Sequence, residues 1–554
     1  MRQYFQKISS RPHFREIIVL VVFTLALTVP FISQAFHWDD IDFVEAAKVS
    51  ARNPTQYHLE DYSYRGLHRQ EYPIRHPPLL STYLGLVIRL AGKVSETFFH
   101  LAYLIFPLIA VISMYALGRR FTGQPLVASL LLLFSAGFLV MSHTIMGNLP
   151  GTAFWLAATA TFVWGVDRSS LKMLLASGVL MAAAMMTFAQ GVSLFPLLVF
   201  YALLKWRLFR WKTVTAFMLP LAAFLGWRYF IQSRYGFAPA ISYQVDSRLD
   251  WQIGGITVFI GSTIVFPLSY YVLFLRKKVD VLVAFLFVPP LVTWTAMYLI
   301  SKGEITTFQG IFIAFLATAG FLVAYKMIAN VVRDFMRWVR KRRYDTDSLF
   351  LLAWFAGVLA VYFVTSLPFV AVRHLLPLFP PVILMFVRES EEFLPMQLKP
   401  RRIFVITTLV LTLAVGLSAA IADNRLANSY RDLAGGMGAQ YADNGTKVWE
   451  LGEFGFRYYM EQAGFEYLGV DSVAEPGDLV VVSYISSKGV VAPLPEGAYT
   501  VVSRIETESA FPVRTMNPWA GAGFYGNLMG PIPIVPSTDK LDEITVNMLY
   551  WETE

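Results

Sequence analysis

Residues Ile17–Asp40 read IIVLVVFTLALTVPFISQAFHWDD. Twenty apolar or weakly polar residues run to Phe36, and a polar His37-Trp38-Asp39-Asp40 segment follows at once. A run of that length matches the hydrocarbon core of a bilayer, about 30 Å thick. The basic stretch MRQYFQKISSRPHFR stands before it. A secretory signal peptide is the competing reading. The run is long for one and no small-residue cleavage site follows, so an uncleaved first helix is expected.

The same pattern recurs along the chain. Apolar runs fall at 17–36, 97–117, 125–142, 150–166, 171–187, 190–204, 213–231, 252–275, 279–300, 306–328, 349–366, 369–387 and 402–422, with a shorter one at 79–92. Apolar residues make up 56% of the 554 residues and charged residues only 15%, against about 25% charged in soluble chains. With no cysteine, disulfides, thiolate catalysis and thiolate metal sites are excluded.

Charge parity fixes the expected layout. With the N-terminus inside and 79–92 not spanning, one side receives all the basic clusters. These are Arg119-Arg120, Arg168 with Lys172, KWRLFRWK (205–212), Arg276-Lys277-Lys278, RDFMRWVRKRR (333–343), and Lys399 with Arg401-Arg402. If 79–92 spans, every one of these clusters moves outside, against the positive-inside rule. Thirteen spanning helices are therefore expected, with 79–92 interfacial or partly re-entrant. In the first outer loop, 37–96, DFVEAAKVSA (42–51) suits an amphipathic helix on the membrane surface or an ordinary solvated helix.

After residue 423 the composition shifts. From Asn424 onward there are 8 basic and 17 acidic residues, a balance of −9, which leaves +17 on the remainder of a chain whose net charge is +8. KVWEL (447–451), DLVVVSY (478–484) and YTVVSRI (499–505) read as strands. FGFRYYMEQAG (454–464) reads as a short helix ended by Gly464. The expected fold class is mainly α: a polytopic membrane module over 1–423 and a small exported α/β domain over 424–554. The basic residues sit in short loops between spans, so nucleic acid is not an expected partner.

Ionisable groups at the outer surface carry the chemical signal, because burying them near hydrocarbon is costly. Asp39 and Asp40 could act as general base and orienting group, hold a divalent cation, or simply end a helix. Tyr72-Pro73-Ile74-Arg75-His76-Pro77-Pro78 stiffens the approach to 79–92 and puts Arg75 and His76 at the interface, where Arg can hold a phosphate or snorkel. SHTIMGNLP (142–150) brings His143 and Asn148. Arg373-His374-Leu375-Leu376-Pro377 sets two cationic types near the bilayer, expensive unless an anion pairs with them. Glu304, beside Lys302, and Arg228, Arg234 and Arg248 are weaker candidates. Walker A, HExxH and GxSxG motifs are all absent.

These pieces together resemble the GT-C membrane glycosyltransferases, in particular the protein O-mannosyltransferase and lipid A aminoarabinose transferase branch. The resemblance rests on Asp39-Asp40 after the first helix, His76-Pro77-Pro78-Leu79, Asn148-Leu149-Pro150 before the fourth span, Arg373-His374-Leu375-Leu376-Pro377, and GFYGNLMGPIPI (523–534) in the tail. It implies an inverting transfer of a sugar from a polyprenyl-phosphate donor to a hydroxyl acceptor on the extracytoplasmic face. Asp39, or else Asp40, would be the base. Arg75, His76, Arg373 and His374 would stabilise the leaving phosphate, with His143, Asn148 and Glu304 as further binding candidates. Asp40 stands where relatives often have Glu, Asn148 where they often have Asp, and His76 where the aminoarabinose transferases have Lys. An amide is neither a base nor a good metal ligand. No cofactor is required by this reading, and a divalent cation is the one candidate. The implied location is the bacterial inner (plasma) membrane, among its lipids, with the N-terminus cytoplasmic and the C-terminal domain periplasmic or extracellular. A secondary transporter or flippase is the alternative function. Carriers usually put polar groups at the midplane between similar halves, which this chain lacks. A sensor or scaffold with an acidic outer domain is a third reading.

Overall fold

The computed structural model describes residues 12–54, 76–236, 249–276, 278–301, 305–341, 345–364, 369–393, 399–441, 447–469, 471–488, 490, 498–527 and 529–550. Arg75, Lys302, Glu304 and Arg248, singled out above, lie outside them.

Each of the thirteen apolar runs is helical over most of its length. By length and composition, however, seven helices among the described residues can cross a membrane, or eight if a bent pair counts as one. The seven are His13–Phe31, Glu96–Phe121, Asn148–Arg168, Trp211–Arg234, Thr307–Arg340, Asp347–Val364 and Lys399–Tyr441. The expected count of thirteen is not reached, and local breaks explain much of the difference. Ser135 takes an extended backbone and divides the 125–142 run into Pro125–Phe134 and Ala136–Met141. The Leu171–Met185 helix covers only about 22 Å. The 252–275 run, expected as one span, bends by 92° between Gln252–Thr263 and Pro267–Phe274. Pro267 has no N–H to continue the ladder and forces Phe266 out of helical geometry, to ψ 124°.

Leu79–Ala91 is a 13-residue helix ended by Gly92 in the left-handed region, φ 72°. At about 20 Å it is too short to span. It packs on the Asp40–Arg52 helix, and Gly85 meets the Ala47–Ala51 backbone at 3.0–3.1 Å from where a Cβ would lie. Residues 42–51, expected on the membrane surface or in solvent, therefore turn their apolar side to protein: Phe43, Val44, Ala46 and Ala47 are buried.

The Lys399–Tyr441 helix has 43 residues. Its length of about 65 Å exceeds a bilayer, so the polar part from Asp423 onward projects beyond the apolar part. A mixed five-stranded sheet follows, in the order β2-β1-β3-β7-β4. The strands are β1 (Val448–Leu451), β2 (Glu466–Tyr467), β3 (Leu479–Ser483), β4 (Tyr499–Thr507) and β7 (Asp542–Leu549), with a two-residue pair β5 (Met516–Asn517) and β6 (Ala522–Gly523) apart. β1 runs parallel to β2 and β3, while β7 is antiparallel to β3 and β4. The helix Phe454–Gln462 crosses from β1 to β2, and Gly464 follows at φ 94°. The expected strands at 447–451, 478–484 and 499–505 are all present. Tyr430 on the long helix donates to Asp542 of β7 at 3.1 Å and stacks edge-on against Phe456. The sheet is thus fixed directly to the last long helix.

Candidate active site

The first helix ends at Thr28, and Pro30 turns the chain through Val29–Phe31. Residues 32–39 then run without regular structure, though Gln34 through Trp38 are buried. Their backbone groups must therefore find partners. The projecting end of the long helix and the C-terminal region supply them. Asn428 accepts from Ala35 N at 2.9 Å, and Tyr459 accepts from Phe36 N at 2.8 Å. Asn424 donates to the Gln34 side chain at 3.2 Å.

The packing here also depends on one close approach. Gly455 faces the Phe36–His37 backbone, and a Cβ there would collide with the Phe36 carbonyl oxygen and lie 3.0 Å from His37 Cα. Gly455→Ala is therefore expected to push the Phe454–Gln462 helix off this segment, lowering stability by about 1–3 kcal/mol. Thermal unfolding of the purified chain measures it, and an unchanged midpoint would show that the contact is loose.

Trp38 lies in the left-handed region at φ 46°, an uncommon conformation for a bulky residue. Its ring is held between Phe454, at 5.1 Å, and Tyr525, stacked at 5.6 Å. That turn sends the two neighbouring carboxylates in different directions. Asp40 enters the protein interior. It is fully buried and accepts from His37 N at 3.1 Å and from His37 Nδ1 at 3.2 Å. The other ring nitrogen, Nε2, meets Asp423 at 2.9 Å, and Asp423 is also fully buried. Tyr525 donates to Asp423 at 2.9 Å and bonds Thr144 at 3.1 Å.

Asp39 stays at the surface, at the N-cap position of the Asp40–Arg52 helix, with a quarter of its side chain exposed. Its Oδ2 lies 2.9 Å from Arg373 Nη2. Arg373 sits on the short turn Val372–Leu375, beneath the 523–534 stretch. It donates from Nη1 to the Tyr525 carbonyl at 3.1 Å and lies over the Phe369 ring. Phe524 O accepts from Val372 N at 3.1 Å, and Asn527 brackets Val370 through both its backbone and its side chain. Three of the segments that carry the family resemblance (39–40, 373–377 and 523–534) thus meet at one point.

The remaining candidates divide. His374 is next to Arg373, with its ring 5.7 Å from Phe369 and no partner on its buried Nδ1. His76 packs against Phe43 at 4.7 Å on the same side. Asn148 begins the Asn148–Arg168 helix, where its carbonyl accepts from Thr152. His143 is buried behind the site, stacked on Phe31 at 4.3 Å, with neither ring nitrogen bonded. Burial drives its pKa down to about 3, so it is neutral and cannot serve as a cation for phosphate. Arg234 is exposed, and Arg228 lies over Phe224 on its own helix, the Trp211–Tyr235 helix.

The divalent cation allowed for above does not fit. Asp39 is held by a guanidinium and Asp40 by His37, so the pair does not converge on a common point. Among the described residues no cluster of three or more His, Asp and Glu side chains is arranged to hold a metal ion.

Sequence reasoning missed His37, Asp423 and Tyr525. A signal was available for the first: a His directly before two acids, at the end of a helix, is a natural counter-ion. Asp423 is 386 residues away and had none.

Residues 75–229 match the family model described as dolichyl-phosphate-mannose-protein mannosyltransferase. This bears out the resemblance to membrane glycosyltransferases read from the motifs. No curated protein sequence matches the chain. Among solved structures, ArnT from Cupriavidus metallidurans in the apo state is similar at 13% identity and a TM-score of 0.45, over 96% of this chain and 97% of that one. The same protein bound to undecaprenyl phosphate gives 14% identity and 0.43, over 88% and 96%. Arabinofuranosyltransferase AftD from Mycobacteria gives 12% and 0.47, over 98% of this chain and 40% of that one.

Proposed function

We propose that this multi-pass membrane protein is an inverting glycosyltransferase that moves a sugar from a polyprenyl-phosphate donor to a hydroxyl acceptor. The observation that carries the reading is the Asp39–Arg373 pair, a partly exposed carboxylate and a buried guanidinium 2.9 Å apart. The donor named in the matching family description is of this chemical class.

In the proposed reaction Asp39 takes the proton of the acceptor hydroxyl as its oxygen attacks the anomeric carbon. The new glycosidic C–O bond forms while the bond from that carbon to the phosphate oxygen breaks. Polyprenyl phosphate leaves with the electron pair. Arg373 offers paired donors to the developing phosphate charge, an electrostatic contribution that grows in a low-dielectric site. His76 and His374 stand beside it as hydrogen-bonding groups, and Arg75 is placed with them by the motif alone. One step with one base inverts the anomeric centre.

With each of the thirteen helical runs taken to cross the membrane, whole or broken, charge parity would set the site on the extracytoplasmic face, the N-terminus in the cytoplasm and the 424–554 domain outside a bacterial inner membrane. We read 1–423 as the catalytic module.

The test incubates purified protein in lipid nanodiscs with radiolabelled polyprenyl-phosphate mannose, glucose, arabinose and aminoarabinose, together with bacterial membranes as acceptor. Release of free polyprenyl phosphate and a product of inverted configuration is the expected result. Movement of the intact lipid across proteoliposomes, without release from any donor, would replace this reading with a carrier.

A further inference from the structure

We propose that His37 is a positioning residue: clamped between Asp40 and Asp423, it ties the Trp38–Asp39 turn to the long helix and the C-terminal region, and so holds Asp39 against Arg373. The proposal rests on the reading of Asp39 as the base, and it adds a group that touches neither substrate nor reacting atoms.

Three observations carry it. The first is the geometry. One ring is bonded on both nitrogens by carboxylates from two separate elements, at 3.2 and 2.9 Å, with all three side chains at 0–1% exposure. Two carboxylates buried that close together repel each other unless a cation lies between them. The second is what the clamp joins. Asp40 opens the helix whose N-cap is Asp39. Asp423 lies where the long helix turns polar, and its Oδ2 also accepts from Tyr525. The carbonyl of that same Tyr525 accepts from Arg373. The path Asp39–Asp40–His37–Asp423–Tyr525–Arg373 therefore closes into a ring through the Asp39–Arg373 pair. The third is strain. Trp38, between His37 and Asp39, is kept at φ 46°, a conformation that persists only when its surroundings over-determine it.

The charge state agrees. Burial on its own pulls the imidazole toward neutrality, but Asp423 and Asp40 override it and push the pKa up to about 10. Other titratable groups facing this point are Tyr525 from the C-terminal region, His100 and Tyr103 from the Glu96–Tyr103 helix and His143 from the turn before Asn148.

The charge logic makes the test specific. His37→Gln leaves two buried carboxylates without their cation, and Asp423→Asn removes one side of the clamp. The double variant His37→Gln/Asp423→Asn pairs two amides and leaves Asp40 as the one buried carboxylate of the three groups, so the repulsion between two carboxylates is gone. In each single variant kcat is expected to fall at least 30-fold, with the KM for the polyprenyl-phosphate donor within twofold. The double variant is expected to recover at least tenfold. A second readout is independent of transfer. The chain has no cysteine, so Arg52→Cys and Val502→Cys, both exposed, supply the only two thiols for spin labels. The distance between them should be narrowly distributed, broaden in His37→Gln, and narrow again in the double variant. An unchanged distribution in His37→Gln overturns the proposal. So does broadening that the double variant fails to reverse, since lost shape rather than paired charge would then be the cause. If the proposed transfer reaction itself is wrong, the spin-label series still decides the clamp.

Discussion

Asp39→Asn is expected to reduce sugar transfer by about 10²–10⁴-fold, the usual worth of a positioned general base, while the protein stays folded. The asymmetry with its neighbour makes the experiment informative. Asp39 is partly exposed and its side chain is paired with Arg373. An amide in its place still accepts from that guanidinium, so the loop keeps its shape and only proton abstraction is lost. Asp40→Asn is the opposite case. It weakens a fully buried link to His37, and losing a buried hydrogen bond to a charged group costs about 1.5–3 kcal/mol. It should therefore lower the unfolding midpoint markedly. The two substitutions are measured side by side, by single-turnover transfer and by thermal unfolding in the same detergent. Asp39→Asn should be stable and inactive, and Asp40→Asn should be destabilised. Retention of more than a tenth of wild-type transfer by Asp39→Asn would remove it from the role of base. An Asp40→Asn protein that is stable yet inactive would transfer that role to Asp40.

The sequence left Asp39 and Asp40 equivalent, because adjacent residues share every feature that composition and charge parity can see. What separates them is the left-handed turn at Trp38, and that turn is held by Phe454 and Tyr525 from more than 400 positions away. Other features were legible because their causes are local. The 79–92 run was short for a span, and letting it cross would have moved every later basic cluster outside. KVWEL, DLVVVSY and YTVVSRI carry the β-branched content of strands. The kink near 264–266 was also local, since Pro267 marks it, but mean hydropathy runs smoothly across the break and conceals it. β7, which separates β3 from β4, escaped notice for a different reason. Its Ile544, Val546 and Met548 alternate with Glu543, Thr545 and Asn547, but this stretch lacks the Val-rich runs that mark β3 and β4. Charge parity set the candidate acids and cations on one expected face. The pairing of Asp39 with Arg373 could not be inferred, because it depends on how 523–534 clamps 370–373.

Arg373→Ala is expected to lower transfer by about 10²–10³-fold, the scale seen when a preorganised donor to a developing negative charge is removed. Two effects combine in it. The leaving phosphate loses a guanidinium, and Asp39 loses the partner that orients its carboxylate. Arg373→Lys separates them. An ammonium preserves the positive charge beside Asp39, but it presents a point charge on a flexible stem in place of a planar fork, and it cannot grip the Tyr525 carbonyl and Asp39 together with fixed geometry. The Lys variant should therefore keep a cation beside Asp39 and still fall at least tenfold in kcat. The Ala variant should in addition bind polyprenyl phosphate more weakly. Equilibrium binding of radiolabelled polyprenyl phosphate to protein in nanodiscs measures that step without any acceptor or sugar. A tenfold or greater rise in Kd for Arg373→Ala, smaller for Arg373→Lys, is the expected order. Equal Kd values for all three proteins would mean that Arg373 serves only as a counter-ion to Asp39, and that the phosphate is held elsewhere, with His76 and His374 the next groups to examine.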